Sequence, residues 1–267
     1  MLLDLPPHPN VVTPLGVCLE PLCVVMTYCR NGSLSTALRS VTMAGKLTTA
    51  RKVAVLRDVA AGMHHVAREG IVHKDLAARN VLLSGAMTGL VSDFGLSRLV
   101  NPNGAVYDSG IVSIKWSAPE AIIGRRYTQA SDVWSFGVTC VETLTAEAPL
   151  ADISTSDYLL RFATDRDKYR DRLIADAADS ACGEPLRKLV ADCLQNEVAA
   201  RPTFQQLCQR LRELIDTNED GEVRLVMGTG DIRPLMGDMG SAIDDDDDVE
   251  DDDDDDNAVV IIEDDES

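Results

Sequence analysis

The chain has 267 residues, 45% of them hydrophobic, a mean hydropathy of −0.05 and a net charge of −19. This is enough apolar material for one or two globular domains, and no apolar run approaches the roughly 18–20 residues that span a bilayer. Residues 217–267 hold 21 acidic and 2 basic side chains, leaving 23 of each sign in 1–216. The body is therefore neutral, and the acidic tail repels phosphate, which argues against nucleic acid as a partner.

The seven cysteines are scattered and form no Cys-x-x-Cys pair, which points to a reducing compartment and away from a metal site. No signal peptide is recognisable at the start. From Val11 to Tyr28 the chain is apolar and β-branched, broken by Pro14, Gly16 and Glu20-Pro21. It reads as two short strands joined by a turn. Asn31-Gly32-Ser33 then leads into a short helix. Thr48 or Thr49 caps a longer one to about Ala67, with Val53, Leu56, Val59, Met63 and Val66 at helical spacing. Residues 71–96 alternate short apolar runs with loops. Ser131 is the expected cap of an apolar helix from Val133 to Leu144. Further helices are expected at 156–164, 184–195 and 203–215, the last capped by Thr203. Asp244–Asp248 and Asp251–Asp256 are like-charge blocks that cannot build a core. The expected division is a folded domain over 1–216 and a disordered acidic tail over 217–267.

The most informative stretch is His73-Lys74-Asp75-Leu76-Ala77-Ala78-Arg79-Asn80, followed thirteen residues after Asn80 by Asp93-Phe94-Gly95. Together these supply a carboxylate, an amide and a second carboxylate at the spacing used for phosphoryl transfer. Any one of them is more often a loop-capping side chain; the constellation is what carries the chemistry. Supporting motifs follow in order: Ala118-Pro119-Glu120, Ser131-Asp132-Val133-Trp134-Ser135-Phe136-Gly137 and Arg201-Pro202-Thr203-Phe204.

On these motifs the chain resembles the protein kinase superfamily. The implied fold is α+β: a protein-kinase-like two-lobed fold with a partial β-containing N-lobe and a complete, mainly helical C-lobe, plus the acidic tail. The resemblance makes Asp75, Arg79 and Asn80 the catalytic residues, with Asp75 accepting the substrate hydroxyl proton. It makes Asn80 and Asp93 the ligands of Mg²⁺, which prefers hard oxygen donors. Glu120 and Arg201 are expected to form a buried ion pair, and Gly137 to allow a close approach. Ala77-Ala78-Arg79 and Lys115-Trp116-Ser117-Ala118-Pro119-Glu120 resemble the tyrosine kinase group rather than the serine/threonine group. The implied activity is transfer of the ATP γ-phosphate to tyrosines of protein substrates.

By position, Met26 matches the residue guarding the back of the adenine pocket. Thr27, Tyr28 and Cys29 match the hinge, and Leu82 the apolar floor; together with Asp93 these are the expected ATP contacts. Tyr107 is the only tyrosine between Asp93 and Glu120. Phosphate there is expected to order that segment against Lys74 and Arg98. The family usually has Arg at the Lys74 position, and Lys cannot make the bidentate fork.

Neither a glycine-rich loop nor a Val-Ala-x-Lys strand occurs in the 267 residues. Residues 1–10 resemble the end of the regulatory helix and the turn after it, so those parts are expected upstream of Met1. Pro14 stands where the family has a large apolar residue. A catalytically silent scaffold with an interaction tail stays open as the alternative. The expected location is the cytoplasm, or the intracellular part of a membrane receptor. In the tail, Val259-Val260-Ile261-Ile262 lies between acidic runs. It resembles a motif that adds as a strand to small ubiquitin-like modifier proteins; the plainer reading is an apolar patch in a solvated tail.

Overall fold

The computed structural model describes residues 5–20, 22–108, 113–179, 183–217, 222–226 and 259–263. The first elements are β1 (Pro14–Leu19) and β2 (Leu22–Thr27), an antiparallel hairpin. Pro14 opens β1, where a strand tolerates a missing N–H, and the register slips between Pro14 and Gly16. Three helices follow: α1 (Leu34–Arg39), the single turn α2 (Val41–Ala44) and α3 (Thr49–Arg68). Ser33 caps α1 and Thr48 caps α3 through their side chains.

The next segment is built from two-stranded pieces: β3 (Ile71–Val72), β4 (Val81–Leu83), β5 (Gly89–Val91), β6 (Arg98–Leu99) and β7 (Val106–Tyr107). β3 pairs with β6 and β4 with β5, all antiparallel. After these come α4 (Pro119–Gly124), β8 (Arg126–Tyr127), which pairs with β7, and α5 (Gln129–Thr145). α5 is capped by Thr128, with Ser131 returning the bond. The cap thus lies three residues before the expected one, because Ser131 serves as the third helical residue of a capping box. It is buried almost all round, as a central helix must be.

The helical body continues with α6 (Thr155–Asp179), α7 (Gly183–Cys193) and α8 (Phe204–Glu213), the last capped by Thr203 as expected. α6 runs far beyond 164, the expected end. Tyr158, Phe162, Tyr169, Leu173 and Ala177 form one buried stripe along it. Cys193 packs so near Gly137 of α5 that a Cβ added there would sit 2.7 Å from the cysteine Cβ. This is the close approach expected of that glycine.

Two parts of the expected tail are ordered strands. β9 (Ile215–Thr217) pairs with β10 (Val223–Leu225), and Val226 N–H donates to the Leu214 carbonyl at 2.9 Å. Val223 and Leu225 pack partly buried against the core, so the folded body reaches past the boundary at 216. The short Val-Arg-Leu alternation that causes this is masked in the sequence by acidic neighbours. β11 (Val259–Glu263) adds antiparallel to β2, with Val259 opposite Thr27 and Glu263 opposite Cys23. The segment expected to add to a modifier's sheet edge here adds to this chain's own. The two aspartate blocks lie outside the described residues. Among the described residues, no helix is long and apolar enough to cross a membrane.

Candidate active site

The loop after β3 is fixed from beneath by α5. Asp132, 1% exposed, accepts the backbone N–H of His73 at 2.7 Å and of Lys74 at 3.0 Å. Those bonds hold Lys74 at φ +71°, a left-handed conformation that costs energy in a non-glycine residue. Burial raises the Asp132 carboxyl to about 7, and the two N–H donors and Lys74 work against that rise. His73 is buried under the loop. Its Nε2 meets the Ser92 carbonyl at 3.0 Å, and its ring lies edge-on to Phe94 with centroids 5.1 Å apart. Burial pushes its pKa down.

Asp75 is buried, and its carboxylate is held from two sides. Arg79 Nη2 donates to Oδ1 at 2.5 Å, and Asn80 Nδ2 donates to Oδ2 at 2.9 Å and to the Asp75 carbonyl at 2.7 Å. The same Arg79 nitrogen reaches Ser113 Oγ, and its guanidinium lies 5.1 Å from the centre of the Trp116 ring. Arg79 therefore ties the 73–80 loop to the 113–118 segment. The three residues expected to be catalytic stand together.

The β4–β5 hairpin brings Asp93 to the same end. Val81 pairs with Val91, so Asn80 faces Ser92, whose N–H and hydroxyl both donate to the Asn80 carbonyl at 2.9 and 3.0 Å. Asp93 follows one residue on, exposed, at φ +60°, its carboxylate accepting the Gly95 N–H at 3.3 Å. The Asn80 amide nitrogen is committed to Asp75, which leaves its oxygen for another ligand. An exposed carboxylate and an amide oxygen are the hard donors Mg²⁺ takes.

The expected nucleotide contacts flank β4 on its other side. Met26 and Thr27 end β2, half-buried; Tyr28 is exposed and Cys29 buried. The chain then fastens to β4: Asn31 N–H donates to the Leu83 carbonyl at 3.2 Å and Leu83 N–H to that of Gly32 at 2.9 Å. This sets half-buried Leu82 opposite Ser33, just after the segment expected to be the hinge. Asn10 anchors the first described residues to the same unit. Its carbonyl accepts the Val91 N–H at 2.9 Å, and a Cβ on Gly62 of α3 would collide with that oxygen.

Sequence reasoning missed two residues. Glu142 of α5, 4% exposed, accepts the Ala78 N–H at 3.0 Å and the Trp116 indole N–H at 2.9 Å on one carboxylate oxygen. The signal was present: a lone acid inside the apolar run Val133–Leu144 must find donors to be buried at all. Asp108 is the second. Its carboxylate pairs with Lys74, whose side chain is fully buried and lies 4.7 Å from the centre of the Tyr127 ring. Tyr107 is 66% exposed in β7. Arg98, its other expected partner, donates to the Gly95 and Ser97 carbonyls. Without phosphate on Tyr107, the charge that meets Lys74 is the Asp108 carboxylate.

The Glu120–Arg201 pair forms as a two-pronged fork at 2.6 and 2.9 Å. Arg201 also donates to the carbonyls of Gln195 and Ala130, each at 2.8 Å, and lies over Trp134. Lys115 Nζ donates to the carbonyls of Leu150 and Ile153 at 2.9 and 2.5 Å, fixing the segment that precedes Pro119.

The family model for protein tyrosine and serine/threonine kinases matches residues 1–211. Ephrin type-A receptor 7 of Gallus gallus is 37% identical over 235 residues, 86% of this chain and 23% of that protein. Ephrin type-B receptor 4a of Danio rerio is 35% identical over 237 residues, 86% and 23% respectively. Ephrin type-A receptor 8 of Homo sapiens is 39% identical over 218 residues, 79% and 21%. The chain thus spans about a fifth of the length of these relatives. With the motifs of a phosphoryl-transfer loop folded into one site and the family model matched over most of its length, the chain belongs to the protein tyrosine and serine/threonine kinase family, in its tyrosine kinase group.

Proposed function

We propose that this site transfers the γ-phosphate of Mg·ATP to the hydroxyl of a protein tyrosine. The observation that carries this is the Asp75 carboxylate, buried and clamped by Arg79 and Asn80 beside the 113–118 segment. Asp75 orients the incoming phenol and accepts its proton as the phosphoryl group is transferred. Asn80, through its free amide oxygen, and Asp93 would hold the magnesium ion, which supplies charge neutralisation at the phosphate oxygens. Arg79 sets the distance between Asp75 and the Lys115-Trp116-Ser117 platform on which the tyrosine ring lies. The backbone of Thr27–Cys29 would receive adenine above Leu82, with Met26 at the back. The setting this reading implies is the cytoplasm or the intracellular side of a receptor.

The test is phosphate transfer from labelled ATP to a tyrosine-bearing copolymer, with a serine-bearing one alongside. Wild type labels tyrosine, and Asp75→Asn removes the signal while leaving the fold intact. Serine labelling at an equal rate, or an undiminished Asp75→Asn, overturns the proposal. A catalytically silent scaffold is the second reading, favoured by Pro14, which opens β1 where the family has a large apolar residue. It predicts no transfer from any variant.

A further inference from the structure

Lys74 is the residue before Asp75, and its ammonium group is sealed from solvent. One face meets the Tyr127 ring and its charge meets the Asp108 carboxylate, while its own N–H is held by Asp132. A cation so enclosed needs a fixed anion. Asp108 supplies it from the segment between Asp93 and Glu120. That segment is tied down beside the pair: β7 runs along β8, and Asp108 N–H donates to the Arg125 carbonyl at 3.3 Å. Tyr107 is the preceding residue, and successive side chains on a strand point to opposite faces. With Asp108 turned inward to Lys74, Tyr107 faces solvent.

We propose that Asp108 is a positioning residue: its carboxylate, in place of a phosphate, locks the activation segment to the catalytic loop through Lys74. Residues 106–108 are thereby already held in place without phosphate, and phosphate on Tyr107 adds nothing at Lys74. The consequence for catalysis rests on the tyrosine kinase reading, because Lys74 shares a backbone with Asp75. The pairing itself does not depend on that reading.

The experiment is lysine acylation of the folded full chain, mapped by mass spectrometry, with exposed Lys46 as the internal reference. Hydrogen exchange over residues 101–116 is followed in parallel. In wild type Lys74 is labelled far more slowly than Lys46. Asp108→Asn raises its rate about tenfold or more by letting the segment open, and Asp108→Glu restores protection. Tyr107→Phe, and wild type phosphorylated on Tyr107 by an added tyrosine kinase, leave Lys74 as protected as before. If Asp108→Asn does not fold, Lys74→Met provides the second arm: exchange over 101–116 rises in Lys74→Met, and adding Asp108→Asn to it raises exchange no further. Unchanged Lys74 labelling in folded Asp108→Asn, or a Tyr107 phosphate that alters it, overturns the proposal. Neither readout requires turnover, so failure of this inference is separable from failure of the transfer assay.

Discussion

Glu142 is the sharpest place to test how the site is held. Replacing it by leucine keeps an apolar stem in α5 but leaves two donors, the buried Ala78 N–H and the half-buried Trp116 indole N–H, without an acceptor. Each stranded donor costs about 1–3 kcal/mol, so the expected loss is about 2–6 kcal/mol before packing recovers any of it. Glutamine keeps an acceptor oxygen but loses the charge. The two bonds then fall from the charge-assisted range of about 1.5–3 kcal/mol to about 0.5–1.5 each, a loss of about 2 kcal/mol in all. Urea unfolding measures both, with an unchanged slope as the control that only stability moved. Because Trp116 loses a charged acceptor at its indole N–H, its emission changes in Glu142→Leu, whereas Trp134, buried beside Arg201, reports little. Glu142→Leu unfolding at the wild-type midpoint would refute the view that this carboxylate ties the 73–80 loop to the 113–118 segment.

Other expected outcomes use the same reasoning. Arg201→Met strands Glu120 and removes four side-chain hydrogen bonds, so unfolding stability should fall by about 3–5 kcal/mol, with Arg201→Lys recovering only part because it cannot make the fork. His73 is buried with its pKa held below the ordinary 6.5. Its contribution to stability is therefore full above pH 6.5 and is lost as pH falls through its folded-state value. Melting temperatures of wild type and His73→Phe between about pH 7.5 and about pH 5.5 should show the shallower acid loss in the variant; equal slopes would count against it. Deleting residues 227–267 uncovers the β2 edge, so hydrogen exchange at Val24 and Met26 should speed up. Unchanged exchange would mean β11 does not protect that edge.

Much of the site was legible because its residues are close in sequence. His73–Asn80 needs only one loop and a 3₁₀ turn (Ala78–Asn80) to close Asp75, Arg79 and Asn80 on one another. Asp93 follows through a single hairpin register. Helix starts were readable where a hydroxyl cap precedes an apolar stripe, as at Thr48 and Thr203. The end of α6 was not, because Thr164–Lys168 is polar and charged while the buried stripe resumes at Tyr169. Asp108 left no signature: an exposed-looking acid after a tyrosine gains meaning only when β7 lies along β8 and the Lys74 side chain is enclosed. The strand at 223–225 was hidden by composition, since acidic surroundings outweighed Val223 and Leu225, whereas Val259–Ile262 was readable as a strand but its partner β2 was not.

The most direct test of the phosphoryl-transfer site asks where a divalent ion goes. Manganese with a non-hydrolysable ATP analogue, titrated into isotope-labelled chain, broadens amide resonances near the bound ion. The predicted result is broadening centred on Asn80 and Asp93 that requires nucleotide and disappears in Asp93→Asn. Broadening confined to Asp244–Asp248 and Asp251–Asp256, or independent of nucleotide, would contradict the assignment of Asn80 and Asp93 as the metal-holding half of a kinase site.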